Sequence, residues 1–403
     1  MSFWARLRRK NALQLAPQAR EPKVDSWISA ADGVSQSLHA FGLTLLQDEV
    51  SQTPKQNVFI SPLSVFLALA MTETGAGGET KAAMRRALAL PADVTQEEMN
   101  ESTVGLMKKL RTSTGAELTI ANALWVDVRA TIAPEFARVC LEVYDAAVRA
   151  LDLNEPSAAM AINQWVAEKT RGKIPNIVTP KDTADLPAII TNAVYFKGTF
   201  CDPFEKEATQ PKPFHLANGS EKLVPMMRQG GLHGAYCFGK GFEAGVLGYE
   251  GSAIELYMLL PTKGIGPEEI LTEESLADLF VEQEPVELDL SMPRFTIDFA
   301  SQLKVPLTRM GMGITFRYPE ADFTPLGSPL FFMGGVIHKT RLEVDEEGTV
   351  AAAATAVLMD SYYVPERIPK KKTLVFDRPF AVLLRDARSG ADLFAGVVYD
   401  PQG

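Results

Sequence analysis

Glu346-Glu347-Gly348-Thr349-Val350-Ala351-Ala352-Ala353-Ala354-Thr355-Ala356-Val357-Leu358-Met359-Asp360-Ser361-Tyr362-Tyr363 is the stretch on which the reading of this chain turns. It follows one strand-like run, residues 342–345, and precedes another, residues 374–376. With its return through Lys370-Lys371-Lys372 it leaves about 28 residues without an element, more than a compact domain leaves structureless without a functional reason. Four successive alanines have the best helix propensity, so a helix is one reading of the isolated segment. Taken with a period of two, however, Thr349, Ala351, Ala353, Thr355, Val357 and Met359 share one face, small at first and larger later. Such a segment could enter as a strand between two strands already paired. Small side chains pass with little steric cost, and Gly348 supplies a hinge without a Cβ penalty.

Working outward, Val34, Leu38, Phe41 and Leu45 lay one apolar stripe on a helix over residues 26–50. A second helix is expected over 61–74, with Pro62 in its first turn and the glycine-rich 75–78 closing it. Amphipathic segments at 81–90 and 154–170 continue the pattern. Strand signals follow at 116–128, 188–196, 253–260, 286–292, 374–376 and 391–398. The run Ile189-Ile190-Thr191-Asn192-Ala193-Val194-Tyr195-Phe196 is apolar on both faces but for one asparagine, as in a strand covered on both sides. Strand and helix do not alternate regularly, and no Pro/Ser-rich linker divides the body, so the expected class is α+β.

Composition narrows the function. Hydrophobic residues make up 46% and charged residues 22% of the 403, a balance that permits a large core. The net charge of −10 argues against attraction to nucleic acid or to an anionic membrane, and no apolar run is long enough for a membrane span. Cys140, Cys201 and Cys237 are odd in number and widely spaced, which supports neither a disulfide framework nor a zinc site. No Gly-x-Ser-x-Gly or His-Glu-x-x-His occurs, and His39, His215, His233 and His338 are scattered, so no catalytic constellation, metal or cofactor is expected. Residues 234–241 nearly spell a phosphate-binding loop, but Gly241 stands where Ser or Thr must reach a magnesium ion, and a glycine-rich turn is expected there. Asn100-Glu101-Ser102 and Asn218-Gly219-Ser220 are formal glycosylation sites, meaningful only in a secreted protein. The opening residues carry Arg6, Arg8, Arg9, Lys10 and Arg20 with no acid and no signal-like apolar run. They read as a disordered basic extension over 1–24 or as an organelle transit peptide.

Several long motifs, in order, resemble the serpin family of protease inhibitors. Asn57-Val58-Phe59-Ile60-Ser61-Pro62-Leu63-Ser64 is similar to the entry of the family's helix B. Residues 162–174, with Trp165 and Gly172, are similar to its helix F and the turn after it. Thr191-Asn192-Ala193-Val194-Tyr195-Phe196-Lys197-Gly198, His338 through Gly348 and Asp377-Arg378-Pro379-Phe380 complete the pattern, from about residue 26 to 401.

The resemblance implies a serpin fold over residues 25–403, with about nine helices around three β-sheets and an exposed reactive-centre loop. It also implies a metastable protein that a target protease cleaves in that loop. The loop then inserts into the central sheet while the protease is still attached as an acyl-enzyme; serpin loop insertion is itself a standard example of strand addition. Counting from Glu346, the scissile bond falls between Tyr362 and Tyr363, and an aromatic there suits a chymotrypsin-like serine protease. Leu358, Met359, Tyr363 and Arg367 are rival cleavage points. Glu346, Glu347, Gly348, Thr349, Val350, Ala351, Ala352, Ala353, Ala354 and Thr355 match the hinge of inhibitory members. Ser61, Ser64, Asn192 and His338 match the family's shutter, a buried hydrogen-bond cluster. Arg294 pairs with Glu346 at the breach, where Phe200 replaces the family's tryptophan. A monomer partnered by a serine protease is implied, with a cysteine protease, or a carrier or folding helper that inhibits nothing, as alternatives. The resemblance implies an extracellular site, and the lack of a readable signal leaves an intracellular one as the alternative.

Overall fold

The computed structural model describes residues 33–111, 115–281, 283–327, 331–349 and 370–402. The basic extension, the hinge residues Val350, Ala351, Ala352, Ala353, Ala354 and Thr355, and the Tyr362-Tyr363 bond lie outside the described residues.

Helix α1 (Gly33–Gln52) leads into strand β1 (Val58–Ile60) and helix α2 (Pro62–Glu73). Ser61 caps α2, its Oγ accepting from the Ser64 amide at 3.3 Å, and Pro62 occupies a first-turn position where no amide is needed. Every residue of α2 is buried, as expected of a helix apolar all round, and it packs against β2, β4 and β15. Then come α3 (Gly78–Ala87), α4 (Gln96–Arg111), β2 (Ala116–Asp127), α5 (Pro134–Tyr144), β3 (Ala147–Leu151), α6 (Pro156–Lys169), α7 (Pro180–Thr183) and β4 (Ala188–Thr199). The rest is mainly strand: β5 (Gln210–His215), β6 (Glu221–Gly239), β7 (Phe242–Gly248), β8 (Ile254–Pro261), helix α8 (Glu273–Val281), β9 (Gln283–Pro293), β10 (Phe295–Gln302), helix α9 (Lys304–Leu307), β11 (Gly335–Asp345), β12 (Gly348–Thr349), β13 (Lys370–Val375), β14 (Phe380–Asp386) and β15 (Ala391–Val398).

One hydrogen-bonded network runs β10-β11-β12-β4-β2-β3. The other runs β1-β15-β14-β8-β7-β6-β9-β13, with β5 also on β6. Because β6 is long, its first part sits with β5, β9 and β13 and its end with β7, β8, β14, β15 and β1, which gives three sheets among the described residues, two of them sharing β6. The six-stranded sheet is covered on both faces. Ile190, Val194 and Phe196 of β4 face the main core, while Ile189 and Ala193 face a smaller cluster with Trp125, Ile162 and Trp165 beneath α6. Residues 234–241 form less turn than expected: residues 234–239 are the end of β6, and only Lys240 and Gly241 link it to β7, because Gly239 already pairs with Phe242.

Candidate functional site

The middle of the six-stranded sheet is where the predicted residues converge. Strands β4 and β11 pair directly and in parallel from Gly335↔Ile189 to Arg341↔Tyr195, although about 140 residues separate them. Toward the C-terminal ends of both strands the seam is split. Chain leaving β11 turns back at residues 345–348, and β12 enters between them, antiparallel to both: Thr349 lies opposite Val344 and Gly198, and Gly348 opposite Asp345 and Thr199. Gly348 and Thr349 are thus already a strand in the sheet.

Local chemistry explains the turn. The Asp345 carboxylate accepts from the Glu347 amide (3.0 Å) and the Gly348 amide (3.2 Å). Glu346 and Glu347 offer their carbonyls to the amides of Phe204 (2.7 Å) and Phe200 (2.9 Å). Gly348 has φ of 143°, and a Cβ there would stand 2.3 Å from the Gly198 carbonyl oxygen, so only glycine fits. Thr349 is fully buried, with its Oγ1 2.6 Å from the Tyr249 hydroxyl. Tyr249 in turn packs on Phe200 with ring centroids 5.1 Å apart, and Phe200 meets Phe204 edge-on. Phe200 therefore forms part of the aromatic wall against which Thr349 is seated.

Beside this wedge, Arg294 bonds the carboxylate of the buried Glu346, and Thr209 donates to the same oxygen at 2.7 Å. Burial works against the charge of Glu346, but the bonds from Arg294 and Thr209 outweigh it and hold the carboxyl below its usual range. Lys206 pairs with Glu347 nearer the surface.

Further down the seam, Ser61, Ser64, Asn192 and His338 come together in one buried cluster. His338 Nε2 accepts from the Ser61 amide at 3.0 Å, so the ring proton must sit on Nδ1, which faces Asn192 Oδ1. Asn192 Nδ2 donates to Ser64 Oγ and to Asn122 Oδ1, and Ser61 Oγ donates to the Leu393 carbonyl at 2.6 Å. The imidazole is neutral: burial pulls its pKa down to about 3. A proton on Nε2 would point at the Ser61 N–H.

Sequence reasoning missed Asn122, Thr209 and Tyr249. Asn122 carried the same signal as Asn192, a lone amide in an apolar strand, and the two lie opposite each other across β2 and β4. Thr209 and Tyr249 gave no local signal, since both reach the hinge only through the tertiary fold.

The serpin family model, described as serine protease inhibitor, matches residues 36–401. The human leukocyte elastase inhibitor is 31% identical over 379 residues, covering 90% of this chain and 97% of that protein. An uncharacterised serpin-like protein of Thermococcus kodakarensis is 32% identical over 350 residues, covering 86% of this chain and 81% of its own length. Among solved structures, human kallistatin superposes with a TM-score of 0.81 at 26% identity over 92% of this chain and 98% of its own. The thermophilic serpin tengpin in its native state gives 0.80 at 28% identity over 90% and 93%. The chain belongs to the serpin family, whose members include protease inhibitors.

Proposed function

We propose that this serpin inhibits a chymotrypsin-like serine protease as a suicide substrate, cleaved between Tyr362 and Tyr363, and is not itself an enzyme. The observation that carries this reading is the seating of Gly348 and Thr349 between β4 and β11, directly above a seam where those strands pair with nothing between them. Continued in the same register, residues 351, 353 and 355 fall opposite Leu342, Thr340 and His338 on one side and Phe196, Val194 and Asn192 on the other. These β11 and β4 residues are buried, so the small residues Ala351, Ala353 and Thr355 are the ones that enter the core face. Thr355 arrives between His338 and Asn192, and its hydroxyl, both donor and acceptor, can take over the hydrogen bond that it separates.

Insertion replaces one parallel seam by two antiparallel ladders. A strand of about a dozen residues adds net hydrogen bonds worth roughly 1 kcal/mol each, on the order of ten kcal/mol in all, enough to displace and distort an attached protease. Incubation with a chymotrypsin-like enzyme should yield a detergent-stable complex and a released fragment beginning at Tyr363, read by mass spectrometry. Complete cleavage without any complex, by serine and cysteine proteases alike, would remove the inhibitory reading.

A further inference from the structure

We infer that the cleft between α3 and residues 304–317 binds an amphipathic organic anion, one with an apolar body of drug-like size and a single acidic head. The cleft is open to solvent along one side and has a volume of about 680 Å³. It lies away from the seam, on the side of the molecule where α3 packs on the segment that follows α9.

Its two kinds of surface point to two kinds of ligand group. Ala83 and Phe316, both buried, and the half-buried Ile314 supply an apolar base. Around this base stand Arg86, Lys304 and Arg317 against the single carboxylate Glu79. Glu79 is paired with Arg86 two turns along α3, and Arg317 is paired with Glu320. Lys304 has no carboxylate partner among the described residues, and its Nζ lies 5.8 Å from the centre of the Phe316 ring. An ammonium on the rim above an aromatic floor is placed to receive a ligand's acidic head while the ring takes its apolar body. With Arg86 and Arg317 each paired to a carboxylate, Lys304 leaves one uncompensated positive charge on the rim of a chain of net charge −10, a local attraction for an anion.

Dodecanoate, below its micelle concentration, is a suitable probe in isothermal titration calorimetry on the full chain. Inorganic phosphate tests the head alone, and dodecyltrimethylammonium tests the tail with the opposite charge. Saturable dodecanoate binding is expected, with no comparable binding of either control. Joint Lys304→Glu and Arg317→Glu replacement should weaken it by roughly tenfold or more. Thr308→Trp, which changes no charge and fills the cleft from an exposed position, should also abolish it. Both changes are at exposed positions, and an unchanged unfolding midpoint checks that the variants fold. The inference is overturned if dodecanoate fails to bind. It is equally overturned if the cationic amphiphile or phosphate binds as tightly, or if both variants keep the affinity of the parent.

Discussion

The two parts of the β4/β11 seam are held by opposite chemistry. At the split end, charged groups at the edge of solvent fix the hinge: Arg294, about half exposed, on Glu346, and Lys206 on Glu347. In the middle, a neutral cluster of His338, Asn192, Asn122, Ser64 and Ser61 is sealed from water. Ion pairs at a solvent edge exchange easily for water and hold weakly. A buried neutral network in which each member serves another loses heavily when one is removed, and releases the seam only to a group that can take its place. In the proposed insertion, the split end would set where entry begins, and the middle what is allowed to enter.

The contrast can be broken at either place. The largest effect is expected from Asn192→Ala, which strips His338 Nδ1–H, Ser64 and Asn122 of a shared partner; about 3 kcal/mol of stability should be lost, read as a lowered unfolding midpoint. Acid should act on the same cluster. His338 titrates near 6.5 in an unfolded chain and at about 3 here, so between those values the unfolded chain binds a proton that the native one does not. Stability contributed by the neutral ring is complete above about pH 6.5 and falls as pH drops, by roughly 3 kcal/mol near pH 4.5, measurable as an unfolding midpoint across a pH series. Replacing His338 with glutamine should flatten that part of the profile. The smallest effect belongs to the split end: Arg294→Gln should cost about 1 kcal/mol, since Glu346 keeps Thr209 and the lost guanidinium is itself half exposed. Raised salt should weaken the Arg294 contribution and leave that of Asn192 unchanged.

Much of this was legible in the sequence because local rules and the fold agree. Ser61 and Pro62 announce the start of α2, and the largely apolar run 391–398 is β15 to the residue. Helix α4 was missed although Met99, Thr103, Leu106 and Leu110 mark its buried stripe, because most of its other residues are polar and the short turn before it hides the start. Strand β6 was missed because Gly230 and Gly231 interrupt its pattern; the register shift between Gln229 and Leu232 shows that the chain absorbs them there as an irregularity. The seam itself could not be read. A parallel pairing of strands so distant in the chain leaves no periodic trace in either, and neither does the approach of Tyr249 to Thr349. The alanine-rich composition suggested a strand that could enter a sheet, and only the tertiary fold indicates between which strands.

Thr349 tests the account most directly. It is fully buried against Tyr249 at the point where the new strand begins, and an arginine there would have to carry a charge into that aromatic wall. The decisive measurement is the ratio of covalent complex to cleaved product when Thr349→Arg and the parent chain are each mixed with a chymotrypsin-like protease. The account predicts a complex from the parent and cleavage with almost none from the variant. Equal complex formation by the two would contradict insertion between β4 and β11 as the source of inhibition.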